Sequence, residues 1–63
     1  MKKFVLLYDE IVFGVGLCKA GTTYNLLSEN DKYLYTEFKV ETTNITEIIV
    51  HGFQKTHAVV IDN

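Results

Sequence analysis

Cys18, His51 and His57 are the side chains of this sequence that could ligate a soft metal or pair as nucleophile and base. A structural zinc site takes four protein ligands and a catalytic one three plus water. Here a carboxylate would have to complete the set, and no Cys-x₂-Cys or His-x₃-His pair anchors it. The two histidines approach each other only if residues 47–53 and 57–61 form a hairpin, with Cys18 arriving from another strand. The plainer expectation is two half-exposed histidines beside a turn and a cysteine acting as a small buried hydrophobe. Nucleophilic use of Cys18 would further need an activating base and an orienting third group. Asp9 and Glu10 are adjacent, so in an extended chain they point apart, and paired-carboxylate chemistry needs two acids facing across a cleft. Gly14-x-Gly16 is a fragment of a phosphate loop without the third glycine that opens a helix. No catalytic residue, metal site or cofactor site is expected.

The tyrosines are more informative. Tyr33 and Tyr35 alternate with Glu37, Lys39 and Glu41 on one side of an extended segment, and Tyr24 is expected nearby. Between Glu29 and Glu47, five acids stand against Lys32 and Lys39, a local charge of −3. A tyrosine-bearing, mildly acidic surface of this kind suits a basic protein partner. The same tyrosines could stack on bases, but the six lysines are scattered, arginine is absent and the net charge is −2. A protein that grips phosphates normally carries a basic stripe.

The elements that must carry these residues are read from composition. Of 63 residues, nineteen are β-branched, eight aromatic and only Ala20 and Ala58 alanine, a balance that favours pleated strands over helices. Residues 2–8 read as a first strand, turning at Asp9-Glu10 into 11–18. In that second strand Ile11, Phe13, Val15 and Leu17 alternate with Val12, Gly14, Gly16 and Cys18, leaving a shallow glycine stripe. Residues 22–28 are a third strand, Ser28-Glu29-Asn30-Asp31 a polar turn, and 32–41 the clearest strand, with Leu34, Thr36, Phe38 and Val40 on its apolar side. Gln54-Lys55-Thr56 turns the chain into a last strand, 57–61, that ends at Asp62-Asn63.

Residues 44–52 point two ways. Asn44 and Glu47 fit a capped helix start, Ile45, Ile48, Ile49 and Phe53 recur at helical spacing, and Gly52 could end the helix. Ile48-Ile49-Val50 is a β-branched run that a short helix tolerates poorly. With a strand here the chain is mainly β, a small curled antiparallel sheet or a five- to six-stranded barrel resembling SH3-like or OB-like architectures. With a helix it is an α+β domain, one short helix over about 44–52 packed on an antiparallel sheet.

One domain spanning 1–63 is the only economical division, since no proline, low-complexity tract or composition break interrupts the chain. For so few residues, apolar burial and conformational entropy nearly cancel. A lone cysteine adds no intrachain disulfide, so assembly becomes attractive, and a homodimer through an exposed edge strand or the apolar side of the glycine-bearing strand is expected. The lysine-led N-terminus has too short an apolar run for a secretion signal, and no stretch is long enough to span a membrane. The expected protein is a small cytoplasmic interaction module, without catalysis, that regulates or inhibits a larger protein. The alternative is a single-stranded nucleic-acid-binding β module using Tyr24, Tyr33 and Tyr35.

Overall fold

Apolar side chains at every second position of Lys2–Leu6 bury Phe4 and Leu6 and make this segment β1, the centre of a three-stranded sheet. A computed structural model describes residues 2–62, the side chain of Asp62 excepted, and Asn63 lies outside the described residues. The chain is mainly β, with strands β1 (Lys2–Leu6), β2 (Glu10–Val12), β3 (Gly16–Cys18), β4 (Thr23–Asn25), β5 (Ser28–Glu29), β6 (Tyr33–Glu41), β7 (Thr46–Gln54) and β8 (Ala58–Asp62). They form three small antiparallel sheets, ordered β4-β1-β8, β2-β3 and β5-β6-β7. A 3₁₀ turn, Lys55–His57, leads into β8.

The segment over 44–52 is strand, not helix. Thr46–Gln54 pairs one-to-one with β6 from Tyr33↔Gln54 to Glu41↔Thr46, so the β-branched run decides against the capping pattern. Asn44 falls in the hairpin loop, closed by the Thr42 N–H donating to the Ile45 carbonyl (2.9 Å).

Two further expectations are corrected. The stretch 11–18 is not one strand beside β1 but a hairpin on itself, Ile11 opposite Leu17 and Val12 opposite Gly16. Val15 N–H donates to the Val12 carbonyl (3.0 Å) around Gly14, whose φ of +85° is what the third residue of a type II turn requires. The glycine stripe is therefore a turn, and the inward residues are Val12 and Cys18, while Ile11 and Leu17 are exposed. Nor does Asp9-Glu10 make a tight turn: the Asp9 carboxylate accepts from the Ala20 N–H (2.7 Å), tying the base of the hairpin. The chain is also not a meander, because β1 pairs with β4 on one side and with the final strand on the other.

Residues 22–28 split between sheets. β4 joins β1, and after Leu26 the chain crosses so that β5 joins β6. The polar turn forms at Asn30, whose side-chain oxygen accepts from the N–H groups of Lys32 (2.9 Å) and Tyr33 (2.8 Å).

The core is built from Phe4, Leu6, Val12, Cys18, Leu34, Phe53 and Ala58, with Val15, Tyr24, Leu26 and Phe38 packed against it. Phe53 is its hub, with ring centroids 5.8 Å from Phe4, 5.6 Å from Tyr24 and 6.3 Å from Phe38. Truncating Phe53 to alanine should cost about 3–5 kcal/mol. A domain of this size has only about 3–9 kcal/mol in total, so F53A should lose from about a third of its stability to all of it. Phe13 is 88% exposed at the hairpin tip. F13A should therefore shift stability by no more than about 0.5 kcal/mol. Urea melts of both variants check the pair, and an F13A cost rivalling that of F53A would contradict this core.

Candidate functional site

Because side chains alternate along β6 and β7, the hairpin they form has two unlike faces. Leu34, Thr36 and Phe38, with Phe53, His51 and Ile49 opposite them, turn inward. Tyr33, Tyr35, Glu37, Lys39 and Glu41 turn outward, opposite Gln54, Gly52, Val50, Ile48 and Thr46. The outer face thus holds five of the six residues expected for an interaction surface, and adds Ile48, 64% exposed, and Val50, 55% exposed.

Tyr35 is held in place. Its ring lies across Gly52, where a Cβ would come within 2.7 Å of Cε1, and its hydroxyl accepts from the Asn30 side-chain amide (3.0 Å). Tyr33 sits beside it with ring centroids 6.2 Å apart and is 37% exposed. Lys39 and Glu41 approach to 3.7 Å on an exposed flank, a contact worth little by itself. The result is a shelf of two rings and two aliphatic side chains bordered by Glu37, Lys39 and Glu41.

Tyr24 does not belong to this shelf. It packs on the inner side against Phe4, Phe38 and Phe53, so the expected three-tyrosine platform is divided by the sheet itself. Burial pushes its phenol up to about 12, with a hydrogen bond and charge repulsion from neighbouring Cys18 adding to the shift.

The hairpin expected to unite the histidines does not form: β7 pairs with β6, and β8 with β1. His57 Nδ1 lies 3.1 Å from a Glu10 carboxylate oxygen with the Tyr8 ring at 5.3 Å, while His51 packs edge-on to Phe53 at 4.7 Å. Cys18 is buried and free. Among the described residues, no three His, Cys, Asp or Glu side chains converge as a metal would require. An open groove of about 610 Å³ between β4 and β6 is bordered by Lys3, Tyr24, Thr36 and Glu37 and brings neither histidine nor cysteine to its wall. No helix among the described residues is long and apolar enough to cross a membrane.

Sequence reasoning missed Ile48 and Val50 as surface residues. The signal was the alternation of 46–54, legible only once a strand is chosen over a helix there. Compared with known proteins, the chain matches no family model, no curated protein and no solved structure.

The raised phenol of Tyr24 makes a pH prediction. An acid whose folded pKa lies above its ordinary value of 10.0 contributes stability that is complete below 10.0 and is lost as the pH rises toward about 12. The melting temperature should fall across that window more steeply for the wild type than for Tyr24→Phe, which keeps the ring and removes the ionisation. Equal slopes in thermal melts across the window would show that Tyr24 is not buried as described.

Proposed function

We propose that this chain is a small cytoplasmic protein-interaction module that regulates or inhibits a larger protein without performing chemistry of its own. Its contact surface is the outer face of the β6–β7 hairpin. One observation carries the reading: Tyr33 and Tyr35 share that face with exposed Ile48 and Val50, while Glu37, Lys39 and Glu41 continue it along β6. Exposed tyrosines with aliphatic neighbours and flanking charges are the residue types enriched at protein interfaces or used there to orient a partner. Tyrosines bury large area at small entropic cost, and Tyr35 is already fixed by Gly52 and Asn30. The local excess of acids favours a partner with a basic contact patch.

The test is a native pull-down with three chains. Wild type and Phe13→Ser, altered only at the tip of the β2–β3 hairpin and not on the outer face, should capture the same protein. The double variant Tyr33→Glu/Glu37→Lys, changed on the outer face, should lose it at least tenfold. Capture that ignores the double variant would remove this face as the contact surface. Recovery of single-stranded nucleic acid in place of protein, with strong salt dependence, would overturn the reading altogether.

A further inference from the structure

Backbone phase along β6 determines what β7 offers on its far side. The Tyr35 carbonyl accepts from Leu27 N–H (2.8 Å) and the Tyr33 carbonyl from Asn30 N–H (3.0 Å), so odd-numbered residues of β6 face β5. Even-numbered residues therefore bond to β7, which makes Leu34↔Phe53, Thr36↔His51, Phe38↔Ile49 and Val40↔Glu47 the hydrogen-bonded pairs. The Lys55 N–H to Lys32 carbonyl bond (2.9 Å) continues the same phase beyond the strand. On β7, the N–H and C=O groups of Thr46, Ile48, Val50, Gly52 and Gln54 consequently point away from β6. No strand among the described residues pairs with that edge.

Exposed edges are ordinarily blunted by shortness, proline, lysine or a bulge. β7 has none of these: it is nine residues long, TEIIVHGFQ, its one charge is Glu47, and its register with β6 runs without interruption. We propose that this edge pairs antiparallel with β7 of a second copy about a two-fold axis through Val50. The sequence complements itself in that register. Val50 faces the partner's Val50, Thr46 faces the partner's Gln54, and Ile48 faces the partner's Gly52. Opposite that glycine lies no side chain but the Tyr35 ring stretched across it, so the bulky isoleucine meets a vacancy floored by an aromatic ring.

Charge and space agree with this occupant. The two Glu47 residues stand six positions apart along the paired strands, about 20 Å, and do not oppose each other. Beside the C-terminal end of the edge, a groove of about 340 Å³ bordered by Glu10, Ile11, Tyr33, His51, Gly52 and Gln54 leaves room for the partner's Thr46 end. A two-fold pairing also consumes the edge, so association stops at two copies and does not extend into a fibre. β8 also has a free edge but offers only five residues. The other route expected from the sequence, the apolar side of the glycine-bearing strand, survives as exposed Ile11, Phe13 and Leu17 on the β2–β3 hairpin, and a dimer formed through it would stay equally tight in both β7 variants.

Sedimentation equilibrium combined with residue-resolved amide exchange tests the dimer on the full chain, using Val50→Pro and Ile48→Lys. Proline at Val50 breaks no bond to β6, because that N–H points outward, and edge positions accept it. Lysine at Ile48 replaces a side chain that is 64% exposed and serves if the proline variant fails to fold. The wild type should rise from 7.2 kDa toward twice that mass at high micromolar concentration. Exchange at Ile48, Val50 and Gly52 should slow at least tenfold over the same range, and each folded variant should weaken dimerisation at least tenfold. A wild type that stays at 7.2 kDa at high micromolar concentration, or a dimer equally tight in a folded variant, overturns the proposal. Protection of these amides only when a different protein is added would also overturn it, assigning the edge to that protein's strand.

Discussion

Phe53 holds together parts of the chain that the backbone does not. Among the described residues the strand ladders stay inside the three sheets, and backbone bonds tie two of them only at one end, through the turn whose Lys55 N–H donates to the Lys32 carbonyl (2.9 Å) and whose His57 carbonyl accepts from Leu7 N–H (2.8 Å), so side chains do most of the joining. Phe4 from β1, Tyr24 from β4 and Phe38 from β6 converge on the ring that β7 supplies. Such contacts contribute about 0.5–1.5 kcal/mol each beyond the area they bury. For a domain whose whole stability is a few kcal/mol, that is the difference between one fold and none.

The position of that cluster determines the surface. Strand alternation lets the β6–β7 hairpin give only one face to the rings, and its other face then carries Tyr33, Tyr35, Ile48 and Val50 in solvent. Tyr24 goes to the core because β4 hydrogen-bonds to β1 and lies across from Phe38, not because its own sequence differs from that of the surface tyrosines. The hairpin β2–β3 completes the enclosure: Val12 and Cys18 turn inward, and Gly14 comes so near Ile49 that a Cβ there would lie 2.9 Å from its Cδ1. The same hairpin leaves Ile11 83% and Phe13 88% exposed. Among the described residues seven hydrophobic side chains are buried, so much apolar area remains outside, as a thinly charged small domain implies.

What could be read from the sequence was local. The alternation of Leu34, Thr36 and Phe38 against Tyr33, Tyr35 and Glu37 specified β6 and both its faces, and Asn30 announced its own turn because its side chain satisfies neighbouring N–H groups. The run Ile48-Ile49-Val50 argued for the strand that forms, although Asn44 and Glu47 imitate a helix start. Gly14 and Gly16 misled, since alternation fits an unbroken strand equally well and a φ of +85° is not written in residue type. The pairing of β1 with β8 joins opposite ends of the chain and leaves no local signal. The crossing at Leu26, which separates Tyr24 from the outer-face tyrosines, is equally silent in a segment without clear periodicity.

Central to this account is the division of the tyrosines by the β6–β7 hairpin, and chemical accessibility of each ring measures it most directly. Brief nitration of the folded chain at low concentration, mapped residue by residue by mass spectrometry, should modify Tyr8 and Tyr33 rapidly and the partly buried Tyr24 at least severalfold more slowly. Tyr8 is 58% and Tyr33 37% exposed, whereas Tyr24 lies among Phe4, Phe38 and Phe53. Nitration of Tyr24 in the folded chain as fast as that of Tyr33 would place all three rings on one surface and contradict both the core and the interaction face described for this protein.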